Sequence, residues 1–406
     1  MISYADALRI VLENATRRMP EETVPLVLAA DRVLARPVVA AEDVPAAANS
    51  AMDGYAVHAA DVAGAQAGAP RKLRVIGEAS AGAVYAGTVG EGEAVRIMTG
   101  AVIPAGADAV VEVEVTDEAD GIVEIRREVR QRESIREAGE DVRAGATVIE
   151  PGKTLHSGDI GLLAAVGVVN VPVRVTPKVA ILSTGNEIVE AFRVPGPGQV
   201  RNSTGPALYA ACARAGAEPI DLGIARDASG EIEEKLEEGL RYDILLTTGG
   251  VSAGLYDLVQ TLLPPMGVEI LFHRVNIRPG RPILFGRFGD AANRTLVFGL
   301  PGNPVSTLVT FEQFVMPAIA NMLGRSDRPR RVRATLAGPI RKNDSKRHFV
   351  RGILETSPDG TLAVSATGQQ SSGAISSMSL ANCLIVLDEQ TGSLDAGSTV
   401  DVELLY

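Results

Sequence analysis

Tryptophan is absent from the 406 residues, and aromatic side chains make up only 4% of them. Single-stranded nucleic acids are commonly bound by stacking their bases on aromatic rings, so this scarcity argues against such a partner. The net charge of −11 argues the same way, because phosphate backbones and anionic membrane surfaces attract basic proteins. We therefore expect no nucleic-acid and no membrane partner, and any anionic ligand must be held by a local site.

Cysteine is also scarce, since Cys212 and Cys383 are the only two and lie far apart in sequence. They form no disulfide framework and no metal or redox motif, which predicts a reducing compartment and a cytoplasmic protein. Long apolar runs are missing too, because no stretch approaches the ~18 uninterrupted apolar residues of a membrane span. The N-terminal segment has the pattern of an amphipathic helix rather than that of a secretory signal.

Hydrophobic residues make up 46% of the chain, and its length predicts several folded domains. Short alternating apolar runs between residues 71 and 150, and again between 328 and 406, predict two β domains. Residues 177 to 323 instead alternate buried-strand and amphipathic-helix patterns, which predicts a doubly wound α/β domain. The expected fold class is therefore α/β plus β in a multidomain chain.

Three glycine-bearing loops of the α/β region each follow a predicted strand. They are Thr247–Gly254 (TTGGVSAG), Asn276–Pro282 (NIRPGRP) and Leu300–Ser306 (LPGNPVS). Ligands of parallel α/β sheets bind outside the carboxyl ends of the strands, and glycine lets backbone N–H groups approach an anion closely. We predict that the three loops line one phosphate- or oxyanion-binding crevice.

Charged residues in these loops suggest what the crevice binds. Arg278 and Arg281 lie in the second loop, and guanidinium groups suit phosphate and other tetrahedral oxyanions. Glu187, Asp227 and Asp257 adjoin predicted strand ends, and their carboxylates could bind a hard cation such as Mg²⁺. The alternatives are that the two aspartates cap the helices that follow them and that the arginines are ordinary surface residues.

One motif offers a rival function. Gly250–Gly254 matches the G-x-S-x-G pattern around the nucleophile of serine hydrolases. However, Thr247–Gly249 separate it from the strand, and only His273 and His348 follow it as candidate bases. We favour the anion crevice over a hydrolase.

Seven stretches taken together indicate a family. They are NSAMDGYAV (49–57), VRIMTGA (95–101), IREAGED (135–141), LSTGNE (182–187), TTGGVS (247–252), RPGRP (278–282) and LPGNPVS (300–306). In this combination the chain resembles, essentially end to end, the molybdopterin molybdenumtransferases of the MoeA family, which includes the gephyrin E domain.

The resemblance implies a four-part architecture. Residues 1–45 and 142–176 would form an N-terminal helical and mixed domain, into which a β domain of residues 46–141 is inserted. Residues 177–326 would form the α/β molybdopterin-binding domain, and residues 327–406 a C-terminal β-barrel. A homodimer is also implied, with each active site shared between the α/β domain of one subunit and parts of the other.

The implied reaction inserts molybdate into adenylylated molybdopterin and releases AMP, with Mg²⁺ assisting. Molybdopterin adenylyltransferase and molybdoenzyme apoproteins are implied as further partners. The implied catalytic residues are Asp53, Thr99, Asp141, Glu187, Asp227 and Asp257, of which the last three are also the implied metal ligands. The implied substrate-binding residues are Arg136, Gly249, Gly250, Ser252, Arg278, Arg281, Pro301, Asn303, Ser306, Arg351 and Ser372. Of these, Arg351 and Ser372 are expected to reach the crevice of the partner subunit.

The chain departs from the family pattern at several positions. Arg278 and Arg281 stand where most members have lysines, and Asn186 replaces an aspartate that is common beside the glutamate. Glu137 and Ala138 interrupt a stretch that is usually more basic. The choice between molybdate and tungstate therefore stays open. A non-catalytic, gephyrin-like dimeric scaffold is the alternative function.

Overall fold

The computed structural model describes residues 1–226, 229–249, 258–291, 293–326, 331–358 and 360–405. None of the helices in these ranges is long and apolar enough to cross a membrane. The helices are α1 (Tyr4–Asn14), α2 (Ser157–Ala165), α3 (Thr204–Arg214), α4 (Ser229–Gly239), α5 (Leu258–Leu262), α6 (Pro304–Thr310), α7 (Met316–Leu323) and α8 (Ile375–Leu380).

The strands of the N-terminal half belong to two units. Their bounds are β1 (Glu21–Pro25), β2 (Val38–Val39), β3 (Asn49–Ser50), β4 (Gly54–Val57), β5 (Arg71–Ala79), β6 (Glu93–Ile97), β7 (Ala109–Glu112), β8 (Thr116–Ala119), β9 (Ile122–Ile125), β10 (Ile135–Arg136), β11 (Thr147–Ile149) and β12 (Asn170–Arg174). Strands β4 to β9 form one sheet in the order β7-β4-β6-β5-β9-β8, which is the inserted β domain. The flanking strands pair as β1 with β12 and β2 with β11, so the chain before the insertion is joined to the chain after it.

The strands of the C-terminal half form the α/β sheet and the barrel. Their bounds are β13 (Lys178–Thr184), β14 (Ile188–Val189), β15 (Val200–Arg201), β16 (Glu218–Ala225), β17 (Ile244–Thr248), β18 (Glu269–His273), β19 (Ile277–Arg278), β20 (Leu284–Phe288), β21 (Thr295–Leu300), β22 (Arg331–Leu336), β23 (Arg347–Thr356), β24 (Leu362–Ala366), β25 (Cys383–Leu387) and β26 (Thr399–Leu404).

The α/β sheet has the strand order β16-β13-β17-β21-β20-β18. Its central strands β17 and β21 are buried at every residue, as expected for strands covered on both faces. Helices α1, α3, α6 and α7 pack on one face and α4 and α5 on the other, which confirms the doubly wound prediction. Helix α1 therefore packs with this domain, although it precedes the N-terminal strands.

The sheet is mixed rather than wholly parallel. Strand β20 runs antiparallel to both of its neighbours, β21 and β18. The chain between β20 and β21 is only a short turn, and a parallel connection would need a crossover of a dozen or more residues. Because two reversals restore the direction, β18 still ends at the same edge of the sheet as β21. The second predicted loop therefore leaves the same edge as the other two.

The C-terminal domain is a closed barrel. Pairing runs β23-β24-β22-β26-β25 and returns from β25 to β23, which leaves no open edge among these five strands. Strand β19, from the second loop, pairs in parallel with the start of β23. The barrel is thus attached directly to the edge of the α/β sheet where the predicted crevice lies.

Candidate functional site

The floor of the crevice is formed where β13, β17 and β21 end. The backbone N–H of Gly249 donates to the carbonyl of Leu300 (3.3 Å), and the Thr184 hydroxyl donates to the carbonyl of Thr248 (3.2 Å). Gly249 has a φ of 89°, and a Cβ placed on it would lie 2.6 Å from the carbonyl oxygen of Thr184. Only glycine combines that backbone conformation with so close an approach.

The third loop lies directly above this floor. A Cβ on Gly302 would be 3.5 Å from the Cα of Gly249. Asn303 is the N-cap of α6 with Pro304 at its first position, and the Thr307 hydroxyl donates to the carbonyls of Pro301 and Asn303. Pro301 is buried and Asn303 is exposed, so the loop is fixed from beneath and open towards solvent.

The second loop packs on the same helix. Gly280, with a φ of 101°, would place a Cβ 3.6 Å from the carbonyl oxygen of Ser306. The loop carries the two arginines, which differ in their surroundings. Arg278 is 63% exposed and lies 3.7 Å from Asp344 of the barrel. Among the residues that the structure describes, no carboxylate lies within ion-pair distance of the exposed Arg281.

Arg351 is buried in β23, the barrel strand whose first residues pair with the second loop, and 2% of its surface is exposed. Its Nε donates to the Ser377 hydroxyl (3.1 Å), and its Nη2 donates to the carbonyls of Gln369 (3.4 Å) and Ser371 (3.1 Å). None of the carboxylates in the described ranges forms an ion pair with it, and burial lowers the pKa of its guanidinium. A buried cation without a counter-charge favours an anion as ligand.

The barrel loop that Arg351 holds contacts the crevice of its own chain. The carbonyl of Ser372 accepts a hydrogen bond from the backbone N–H of Val305 in α6 (3.2 Å). Ser306, the next residue, is 4% exposed. The attachment of β23 to β19 holds the barrel against the α/β domain of the same subunit, so Ser372 contacts α6 of its own chain. The expectation that Arg351 and Ser372 reach the partner's crevice stays a prediction.

The predicted residues of the N-terminal half form a separate group. The Asp53 carboxylate accepts hydrogen bonds from the backbone N–H (2.7 Å) and the hydroxyl (2.8 Å) of Thr99. These bonds, the backbone one foremost, lower the pKa of Asp53. Arg136 lies on β10, where it pairs with Asn49 of β3, and the Asp141 N–H donates to the carbonyl of Val44. We call Asp53, Thr99, Arg136 and Asp141 the N-terminal cluster.

The N-terminal cluster and the crevice are not connected directly. Within the described ranges, no hydrogen bond or ion pair joins a member of the cluster to the three crevice loops. Asp53, Arg136 and Asp141 are all exposed. The structure therefore gives two groups of predicted site residues, and no direct contact among the described residues joins them.

Of the three predicted acidic residues of the α/β domain, Glu187 lies within the described residues. The exposed Glu187 folds its carboxylate back over Gly185 at the end of β13, where a Cβ on that glycine would lie 2.7 Å from Oε2. Asp227, Gly250, Ser252 and Asp257 lie outside the described residues, and so does the whole G-x-S-x-G motif. Among the residues that are described, no three His, Cys, Asp or Glu side chains are grouped as a metal site.

Some residues of the site were not predicted from the sequence. The hydroxyls of Thr204 and Thr248 lie 3.2 Å apart beneath the crevice floor, and Gln370 ties the barrel loop to the backbone of Arg351. Asp344 and His348 support the second loop, although the sequence singled out only His348, as a candidate base of the rival hydrolase. Thr184 could have been found, because it belongs to the LSTGNE motif.

Comparison with known proteins agrees with this architecture. Residues 2–167 match the MoeA N-terminal region (domain I and II), residues 180–321 the "probable molybdopterin binding domain", and residues 333–405 the MoeA C-terminal region (domain IV). The second of these matches covers the crevice floor, and the third covers Arg351 and Ser372.

Full-length relatives have the same extent. The molybdopterin molybdenumtransferase of Staphylococcus aureus strain Mu50 is 35% identical over 396 residues, covering 96% of this chain and 93% of the relative. That of Haemophilus influenzae strain Rd is 34% identical, covering 99% and 98%. The crystal structure of the molybdopterin biosynthesis MoeA protein from Pyrococcus horikoshii superposes with a TM-score of 0.85 at 32% identity and full coverage of both chains. The chain therefore belongs to the MoeA family of molybdopterin molybdenumtransferases and is a transferase of molybdenum cofactor biosynthesis.

Proposed function

We propose that this protein inserts molybdate into adenylylated molybdopterin and releases AMP in a Mg²⁺-dependent reaction. The observation that carries the proposal is Arg351, a buried cation with no carboxylate partner among the described residues, next to the crevice loops. Molybdate is a tetrahedral dianion, and charge-assisted hydrogen bonds from guanidinium and hydroxyl groups suit it. The free, buried Cys212 and Cys383 fit a cytoplasmic location.

The crevice residues divide into two ligand sets. Arg281 and Arg351, with Ser306 and Ser372, would hold the oxyanion, and Arg278 would add positive charge at the mouth. The backbone N–H groups of Gly249 and Gly250, together with Ser252, Pro301 and Asn303, would hold the terminal phosphate of the pterin, since closely spaced N–H groups form anion-binding concavities. Both sets adjoin Gly249 and Gly302, which lie so close that a Cβ on Gly302 would be 3.5 Å from the Cα of Gly249.

A magnesium ion fits the acidic side of this crevice. Mg²⁺ binds through one or two carboxylates plus substrate phosphate oxygens, and the exposed Glu187 carboxylate lies at the strand end beside the floor. Asp227 and Asp257 are its proposed co-ligands. When bound, the ion would polarise the phosphoanhydride bond of the adenylylated pterin.

The N-terminal cluster completes the proposed site in a homodimer. Thr99 lowers the pKa of Asp53, because both of its hydrogen bonds stabilise the carboxylate. Arg136 would bind a substrate phosphate, and Asp141 would orient it. Since no contact within the described residues joins this cluster to the crevice of its own chain, we propose that it serves the crevice of the partner subunit. The supplier of the adenylylated pterin and the recipients of the finished cofactor, an adenylyltransferase and molybdoenzyme apoproteins, would be transient partners.

The test is molybdate-dependent AMP release from adenylylated molybdopterin. We expect release by the wild-type protein with Mg²⁺, little release with excess EDTA, and rates at least tenfold lower for Asp227→Ala and Asp257→Ala. Arg341→Gln, which removes an exposed ion pair of the barrel, is the matched control and should match the wild type. Wild-type rates in both aspartate variants would refute the metal role.

Arg278 and Arg281 stand where most family members have lysines, which leaves two alternatives: a preference for tungstate and a non-catalytic scaffold. The same assay tests both. Tungstate in place of molybdate shows which oxyanion is preferred. If the pure, folded protein releases no AMP with either oxyanion and does not restore molybdoenzyme activity to a strain lacking the transferase, the dimeric scaffold is the better account.

A further inference from the structure

The second crevice loop is attached to the barrel turn of residues 344–348 along its whole first half. The Asn276 side chain donates to the carbonyl of Ser345 (2.9 Å), and the Asn276 carbonyl accepts from the N–H of Arg347 (3.1 Å). The next two residues pair with the barrel as β19, which sets Arg278 beside His348. The backbone path of the loop therefore depends on this turn.

The carboxylate of Asp344 accepts the hydrogen bonds that hold the turn together. Its Oδ1 accepts from His348 Nε2 (2.7 Å) and from the backbone N–H of Lys346 (3.1 Å), and its Oδ2 accepts from Lys346 Nζ (3.3 Å). Arg278 Nη1 lies 3.7 Å from the same Oδ2. The carboxylate thus links the loop to a turn whose other donors already hold it in place.

Burial and charge make this arrangement rigid. The side chain of His348 is 7% exposed and that of Asp344 is 23% exposed, so neither rotates freely. Burial by itself would raise the pKa of Asp344, but the bonds from the Lys346 backbone and His348 outweigh it and hold the pKa below its ordinary range. The charged form of Asp344 is therefore favoured.

The two arginines of the loop consequently have different positions. Arg278 is engaged by Asp344, whereas Arg281, three residues later, has no carboxylate partner among the residues described. Between them, Gly280 packs against Ser306 and Thr310 of α6. The loop is held at the Arg278 end by the barrel and at Gly280 by the helix, which leaves Arg281 as its outward-facing cation.

We propose that Asp344 is a positioning residue: through Arg278 it fixes the loop Asn276–Pro282 so that Arg281 faces the oxyanion. This inference rests on the proposed function, in which Arg281 contacts molybdate. It makes Arg278 an anchor rather than an oxyanion ligand. The contact that carries the anchoring role is the ion pair between Arg278 Nη1 and Asp344 Oδ2 (3.7 Å), and lysine, a point charge on a flexible stem, would not reproduce the position of Nη1.

The experiment measures the dissociation constant of molybdate by titration calorimetry on the full-length protein, with steady-state kinetics in parallel. We expect Asp344→Asn and Arg278→Gln each to weaken molybdate binding about threefold to tenfold, which is about 0.7–1.4 kcal/mol. The double variant should be no weaker than either single one, since both act through one contact. KM for molybdate should rise while kcat changes little, and Arg278→Lys should restore less than half of the loss.

Two further variants separate this inference from the proposed function. Arg281→Gln should weaken binding more than either anchor variant, and adding an anchor substitution to it should cause little further loss, because the anchor acts through Arg281. Asp395→Asn, which breaks the exposed Arg341–Asp395 pair of the same barrel, should change neither binding nor the melting temperature by much. Because Arg278 is largely exposed, Arg278→Gln remains informative if Asp344→Asn unfolds.

The outcomes are decisive in both directions. Wild-type or tighter binding in Arg278→Gln, with Arg281→Gln impaired, would overturn the anchoring role and leave the proposed function standing. Additive losses at Arg278 and Asp344 would also overturn it, because independent effects exclude a shared contact. Unchanged binding in Arg281→Gln would instead refute the oxyanion role of this loop in the proposed function.

Discussion

At the scale of single residues, the crevice depends on glycines that no other residue can replace. Gly249 is constrained twice: by a φ of 89° and by the carbonyl oxygen of Thr184, 2.6 Å from where a Cβ would stand. That carbonyl belongs to the backbone of a buried strand and cannot rotate away. Gly100 has a similar φ of 83°, but no atom lies within 4 Å of where its Cβ would stand. It therefore carries the backbone constraint without the steric one.

We predict that Gly249→Ala destabilises the protein by about 2 kcal/mol or more, which combines backbone strain with a steric clash. Gly100→Ala should cost only the strain of a left-handed conformation, about 1 kcal/mol. Urea unfolding of both variants measures the difference. Equal losses would show that the β13 and β17 ends can move apart, contrary to a rigid crevice floor.

At the scale of elements, buried polar contacts join the α/β domain to the barrel. Arg214 in α3 forms an ion pair with Glu312 and also donates to the carbonyl of Leu405. Glu312 lies in a π-helical turn, Phe311–Val315, just before Pro317, where the missing N–H of proline interrupts the regular helix. The neighbouring Gln313 donates to Glu403 of the barrel. These bonds fix the orientation of the barrel above the crevice.

Arg214→Met should therefore be destabilising in a pH-dependent way. Burial raises the pKa of Glu312 above its ordinary 4.5, with Glu403 adding to the rise, and Arg214 opposes it, so its loss raises that pKa further. An acid with a raised folded-state pKa favours the native state below its unfolded-state pKa, and this stability is lost as pH rises. We expect a loss of about 2 kcal/mol at neutral pH and clearly less near pH 4.

Thermal or urea unfolding at the two pH values checks this prediction. Arg333→Met serves as the control, because Arg333 pairs with Asp401 on the exposed barrel surface and should have little effect at either pH. A loss in Arg214→Met that does not change with pH would mean that Glu312 is not the group left without a partner.

At the scale of the whole molecule, the predicted site residues fall into two groups on different domains. The crevice combines the α/β domain with the barrel of the same chain, through the contacts of Ser372 and of β19. The N-terminal cluster lies on the inserted β domain and its border. The proposed homodimer joins the two groups, since an isologous dimer supplies each crevice with the other chain's cluster.

A mixing experiment tests this arrangement. Asp53→Asn and Arg351→Gln should each be inactive as pure proteins, because each lacks one half of the site. Dimers re-formed from an equal mixture should regain about a quarter of the wild-type activity, since about half of them are hybrids with one intact site. Mixtures that stay inactive, with exchange of subunits verified by mass, would place the cluster and the crevice of each site on one chain.

The sequence by itself determined the elements and the family. The apolar runs at Ile244–Leu246 and Leu296–Phe298 predicted fully buried strands, and the motifs predicted the family to which the chain belongs. The apolar pattern of a buried strand is set by residues that are neighbours in sequence, so it can be read from the sequence alone. The sequence also predicted that the three loops would meet, because their strands end at one edge.

Only the tertiary structure decided which residues support the site. The reversal at β20, the attachment of β19 to β23 and the contact of Asp344 with Arg278 join segments that lie about 10 to 70 residues apart in sequence. No propensity or spacing specifies such pairings, since they depend on which strand edge remains free after the others have paired. For the same reason, the sequence predicted a pair of equivalent arginines at 278 and 281, whereas the fold gives each a different environment.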